Sequence, residues 1–81
     1  MIAEHTHAVL TADLPEHGLR AGDVGTVVGI LGEGAAYLIE FFTLNGDTID
    51  VVYAEADQVR PAGGEEVAHA RPFSSPRPEG K

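Results

Sequence analysis

From Leu10 to Val28 the chain reads LTADLPEHGLRAGDVGTVV. A short run of strand formers ends at Ala12, a polar stretch follows, and a β-branched run opens at Val24. Pro15 sets its own φ, and Gly18 supplies the backbone freedom a turn requires. Leu14 and Leu19 give this loop two apolar side chains that can pin it to a core, since a loop of such length is otherwise mobile. Ala21-Gly22-Asp23 reads as a tight turn into the second strand. The only ionisable residues of the stretch are Asp13, Glu16, His17, Arg20 and Asp23, and they are spread along the loop. The unit reads as the scaffold of a small β-barrel and not as a catalytic constellation.

The rest of the chain supplies the other strands. His7–Ala12 (HAVLTA) is the first and Val24–Leu31 (VGTVVGIL) the second, followed by the flexible turn Gly32-Glu33-Gly34. Gly25 and Gly29 lie on the same face of the second strand, where glycine marks curvature or close backbone approach. Ala36–Leu44 and Asp47–Ala54 flank Asn45-Gly46, a strong hairpin signal. Ala54–Asp57 suits one helical turn, and Gln58–Arg60 a short closing strand that Pro61 stops.

The hairpin register follows from keeping one face apolar. A three-residue loop with Gly46 at a G1 bulge sets Thr43 opposite Asp47. Phe41 then faces Ile49, Ile39 faces Val51, and Tyr37 faces Tyr53. The opposite face pairs Leu38 with Val52, Glu40 with Asp50 and Phe42 with Thr48. The expected core is Val9, Val24, Val27, Ile30, Tyr37, Ile39, Phe41, Ile49, Val51, Tyr53 and Val59, plugged by Leu14 and Leu19. The expected fold is all-β: a small five-stranded SH3-like barrel over residues 1–61, with one short helical turn and a Pro/Gly-rich C-terminal tail over 62–81.

Eighty-one residues allow one domain, and the absence of cysteine leaves no disulfide or thiolate zinc site to staple it. No apolar run reaches the roughly 20 residues that span a bilayer. The N-terminus shows no signal-peptide pattern, so a cytoplasmic protein with no membrane partner is expected. The formal charge of −8 is carried entirely by residues 1–60, where ten acids face only Arg20 and Arg60. In residues 61–81 three acids and three cations cancel. Such a barrel repels phosphate, so no nucleic acid is expected and a basic protein partner suits the field better. Residues 61–81 have four prolines and three glycines, with Val67 and Phe73 their only large apolar residues; this composition reads as a tail that is disordered or packed on a partner subunit.

Three segments, LTADLPEHGLRAGDVGTVVGI, AAYLIEFFTLNGDTIDVV and EADQVRP, resemble a family of small bacterial proteins with an SH3-like barrel and a domain of unknown function. Its pattern is similar to L-T-x-D-L-P-E-x-G-L-x-x-G-D-x-G-T-V-V, then Y-x-V-E-F, then D-Q-L-R-P. The match covers about residues 8–61. Gly22–Val28 also resembles the KOW-type strand–turn of ribosomal and transcription factors. The first resemblance implies an interaction or antitoxin-like role, on mobile elements in some cases. The second implies nucleic-acid binding, the alternative reading.

The candidate sites are few. His5 and His7 share a strand face, but spacing brings them no third metal ligand. Glu16 and His17 adjoin each other without a nucleophile or oxyanion donor. No catalytic, cofactor or metal residue is therefore assigned, and no enzyme activity is expected. Glu40 and Asp50, as cross-strand neighbours, would be like charges awaiting a cation from a partner. Around them Leu38, Phe42 and Val52 would form an outward apolar stripe, the kind of patch that marks a protein contact. Phe73 and Val67 could cover it, from the same chain or from a neighbour. The expected interaction surface is thus Leu38, Glu40, Phe42, Asp50, Val52 and Phe73, and a homo-oligomer is the expected assembly.

Overall fold

A computed structural model of the chain describes residues 1–75. It is all-β. Five antiparallel strands form one sheet: β1 (His7–Leu10), β2 (Val24–Leu31), β3 (Ala36–Phe42), β4 (Thr48–Glu55) and β5 (Val59–Pro61), in the spatial order β4-β3-β2-β1-β5. The expected helical turn is a 3-10 turn at Ala56–Gln58, held by a capping box between Glu55 and Gln58. A second 3-10 turn, Pro15–His17, lies inside the β1–β2 loop. Pro61 ends β5 instead of stopping the chain before it, which an edge strand tolerates.

Side chains from the edge strands β4 (Val52, Ala54) and β5 (Val59) share one cluster with Val27 and Ile39 from the middle strands. The sheet therefore curls around a single inner face. Gly25 lets it do so. A Cβ there would stand 2.6 Å from Ile39 Cγ2 and 2.9 Å from the Glu40 carbonyl oxygen. Only a glycine allows β2 and β3 to approach this closely. Leu14 and Leu19 form a small antiparallel bridge within the β1–β2 loop, and both are buried in the core. Ile2 joins them from the N-terminal segment.

The β3–β4 turn is as expected, but the register beyond it is not. The Thr43 N–H donates to the Asp47 carbonyl (2.9 Å) and the Gly46 N–H to the Thr43 carbonyl (2.9 Å), with Gly46 at φ 92°. Phe42 then pairs with Thr48, but Phe41 pairs with Asp50, so Ile49 is an extra residue in a bulge. That residue inverts the parity of β4. Ile39 faces Val52 and Tyr37 faces Ala54, and these two partners are buried. Val51 and Tyr53, expected in the core, are exposed. The reason is volume: the buried Tyr37 ring fills its side of the interior, and an alanine opposite leaves room for it where a second tyrosine would not. On β1 the core side is Ala8 and Leu10, while Val9 is buried outside the cluster.

Candidate functional site

The outer face of β3 and β4 is set by that register. Leu38 pairs with Tyr53, Glu40 with Val51 and Phe42 with Thr48, and paired residues project on the same side of a sheet. Tyr53 is 55% exposed, Val51 48% and Phe42 45%. Leu38 is half-buried, because its side chain lies over Gly29 of β2; a Cβ at Gly29 would stand 3.2 Å from Leu38 Cδ1. Glu40 is the polar member, its Oε2 accepting from the Thr48 hydroxyl at 2.9 Å. The face is apolar as the sequence suggests, with two members exchanged. Val52 does not belong to it: it is 1% exposed, turned into the core by the Ile49 bulge. Val51 and Tyr53 take its place. Parity was the signal that could have found them, since they alternate with Val52 and Ala54.

Asp50 does not neighbour Glu40. The bulge turns it, with Val52, off the outer face, toward the end of the sheet where the β1–β2 loop passes. There its Oδ1 accepts the Val51 N–H (2.8 Å), and its Oδ2 lies 3.1 Å from His17 Nδ1. A residue expected to face a partner instead ties β4 to the loop, and His17 finds its acid on β4 rather than at Glu16. His5 and His7 remain exposed, and no group of three or more His, Cys, Asp or Glu side chains able to hold a metal ion occurs among the described residues. No described helix is long and apolar enough to cross a membrane.

The described part of the tail, residues 62–75, has no strand or helix, but its contacts include two ion pairs. Near its start Arg60 makes a two-pronged contact with Glu66 (2.8 and 2.7 Å), and the Gly63 N–H donates to the same carboxylate (2.7 Å). The Arg60 hydrogen bonds and the Gly63 N–H hold Glu66 down to about 2. Both side chains of this pair are more than two-fifths exposed, so it stabilises little.

The second pair is more enclosed. Arg71 Nε donates to Asp23 Oδ1 (2.9 Å), and Arg71 Nη2 donates both to Asp23 Oδ2 and to the Gly18 carbonyl (3.0 Å). The side chains are 23% (Arg71) and 15% (Asp23) exposed. Burial by itself would raise Asp23. The hydrogen bond from Arg71, the Arg20 N–H and the charges of both arginines outweigh it, so the carboxyl titrates below its ordinary value. Phe73, two residues on, packs against the core cluster. The tail therefore lies along the β1–β2 loop, and Phe73 does not cover the Leu38–Phe42 stripe. The sequence contains both charges, but nothing in their spacing of 48 residues pairs them. Residues 76–81, the end of the expected tail segment, lie outside the described residues.

A search of curated proteins gave no match, and a search of solved structures gave none. A family model described as Domain of unknown function (DUF4926) matches residues 4–61. That span contains all five strands and the Asp23 turn, and it ends before Glu66, Arg71 and Phe73. The chain belongs to the DUF4926 family, and beyond the matched span its Arg71 meets Asp23 and Gly18 of that domain.

Proposed function

We propose that this domain is a non-enzymatic, SH3-like interaction module that self-associates through the outer face of β3 and β4. The observation that carries this reading is the exposure of Phe42, Val51 and Tyr53 together on one face, with Leu38 beside them. Contiguous apolar surface of this kind marks protein contacts, and closed symmetric pairing is the commonest way a chain covers its own patch. The face also runs to β4, the edge strand of the sheet among the described residues, where side chains of Asp50 and Gln58 take the Val51 and Glu55 N–H groups. An edge strand can pair with a further strand, so a second copy can add edge hydrogen bonds to apolar contact. The strand order β4-β3-β2-β1-β5, the long β1–β2 loop and the 3-10 turn before β5 support the SH3-like assignment.

Light scattering on the full chain tests the reading. The wild type is expected at twice the 8.5 kDa chain mass, and Tyr53→Asp or Phe42→Asp at one chain mass with an unchanged circular dichroism spectrum. Both positions are exposed, so the fold should survive either change. A wild type that stays at one chain mass up to its solubility limit, or variants that keep the doubled mass, would overturn it.

A further inference from the structure

We propose that the β1–β2 loop is a docking site for an arginine–proline–aromatic segment, and that Arg71-Pro72-Phe73 occupies it in cis. The receptor side is held by hydrogen bonds that do not involve the tail. Asp23 is oriented by its own turn: its Oδ2 accepts the Arg20 N–H (2.8 Å), and its N–H donates to the Arg20 carbonyl (3.0 Å). The turn is anchored to β1 in both directions, Leu10 N–H to the Asp23 carbonyl (2.9 Å) and Gly22 N–H to the Leu10 carbonyl (2.8 Å). Asp13 Oδ1 takes the Ala21 N–H (2.9 Å), and the Gly18 N–H closes onto the Pro15 carbonyl (3.0 Å), which fixes the Gly18 carbonyl that Arg71 reaches. All of these groups lie within the family-matched residues 4–61, and the occupant lies outside them.

The site suits a guanidinium. Arg71 spends four of its five N–H donors: two on the Asp23 carboxylate, one on the Gly18 carbonyl and one on its own Pro72 carbonyl (3.0 Å). A carboxylate and a carbonyl placed side by side match the fork of arginine, and a lysine ammonium cannot span both in one plane. Pro72 limits the backbone freedom lost on docking. Beside the ion pair a recess opens between Asp13, Pro15 and Leu19 of the loop and Pro72 and Ser74 of the tail. Phe73 reaches the core cluster, so the segment makes an apolar contact as well as an ionic one. The charge of −8 over residues 1–60 favours a cationic ligand in general. The segment is tethered, so its high local concentration keeps the site filled against free peptides.

The test uses the full chain with its own segment removed from competition by the double substitution Arg71→Ala, Phe73→Ala. A fluorescently labelled peptide of residues 68–75 (AHARPFSS) is titrated by anisotropy into this variant and into wild type. The variant is expected to bind saturably and roughly tenfold or more tightly than wild type, because wild type supplies its own competitor. Adding Asp23→Asn to the variant, or replacing the peptide's arginine by lysine, should each weaken binding by roughly tenfold. Thermal melts by circular dichroism establish that every variant is folded. A folded double variant that does not bind the peptide, or binds it equally well without Asp23 or with lysine, overturns the site. The cis assignment is tested on the Phe42→Asp chain: an Arg71 Nε–H resonance that keeps its bound shift on dilution supports it, and one that moves with dilution overturns it. None of these outcomes depends on whether the outer face of β3 and β4 self-associates.

Discussion

The Tyr37 hydroxyl accepts the backbone N–H of Ile2 at 3.0 Å, across 35 residues of sequence and within the core. This bond closes the N-terminal segment over one end of the sheet. Ile2 is buried beneath it, the His5 N–H reaches the Val27 carbonyl (2.7 Å), and the Val27 N–H returns to the Thr6 carbonyl (2.9 Å). A buried tyrosine needs a partner for its polar tip, and a buried N–H needs an acceptor; each group here serves the other.

Tyr37→Phe should therefore destabilise the domain by about 1–3 kcal/mol, because it strands the Ile2 N–H without an acceptor while leaving the ring in place. Urea denaturation should show a lower midpoint with an unchanged slope. An unchanged midpoint would mean that the N-terminal segment does not hold the hydroxyl in solution.

Gly25→Ala and Gly46→Ala separate two uses of glycine. At Gly25 the new Cβ meets backbone and a packed core side chain below 3.0 Å, so strands β2 and β3 must move apart. A loss of at least ~2 kcal/mol is expected from this overpacking. At Gly46 there is nothing within 4 Å, and the cost comes only from φ +92°, on the order of 1 kcal/mol. Thermal melts of the two variants should rank them in that order, and the reverse ranking would contradict the close approach at Gly25.

Val51 and Val52 test the register. Val52→Ala removes two buried methyl groups and should cost about 1–3 kcal/mol. Val51→Ala changes an exposed position and should stay within about 0.5 kcal/mol. If chemical denaturation finds Val51 the costlier site, the Ile49 bulge is absent and the unbulged pairing of Ile39 with Val51 is the true one.

Acid should release Arg71 from Asp23. Asp23 titrates below its ordinary 3.8 when docked against Arg71, so the contact is fully present above that value. It is lost as pH falls through the depressed value, the sign expected for a carboxylate charged in the bound form. Amide resonances of Gly18 and Asp23, followed through an acid titration of the full chain, should shift together as Arg71 leaves. In Asp23→Asn the resonances should already be at the released position at neutral pH. A Gly18 shift in that variant identical to wild type would show that the carboxylate does not hold the tail. Added salt should weaken the contact less than the more exposed Arg60–Glu66 pair.

Local chemistry was enough to read the elements from the sequence. Runs of β-branched and aromatic residues broken by glycine, proline and Asn45-Gly46 specify five strands and their turns, because strand propensity and turn geometry act over a few residues. Leu14 and Leu19 announced themselves as plugs for the same reason: two large apolar side chains in a polar loop have nowhere else to go. The side of β4 that faces inward was settled only by the tertiary structure. One extra residue at Ile49 inverts every side chain after it, and whether a bulge forms depends on how the Tyr37 ring, Ala54 and Val52 share one interior volume. The same holds for the charges. His17 meets Asp50, and Arg71 meets Asp23, through loops that close over 33 and 48 residues. Composition alone makes the tail look disordered, since it has too little apolar surface to fold by itself. Arg71 and Phe73 nevertheless meet the domain, through a carboxylate and a carbonyl of the β1–β2 loop region and through the core cluster.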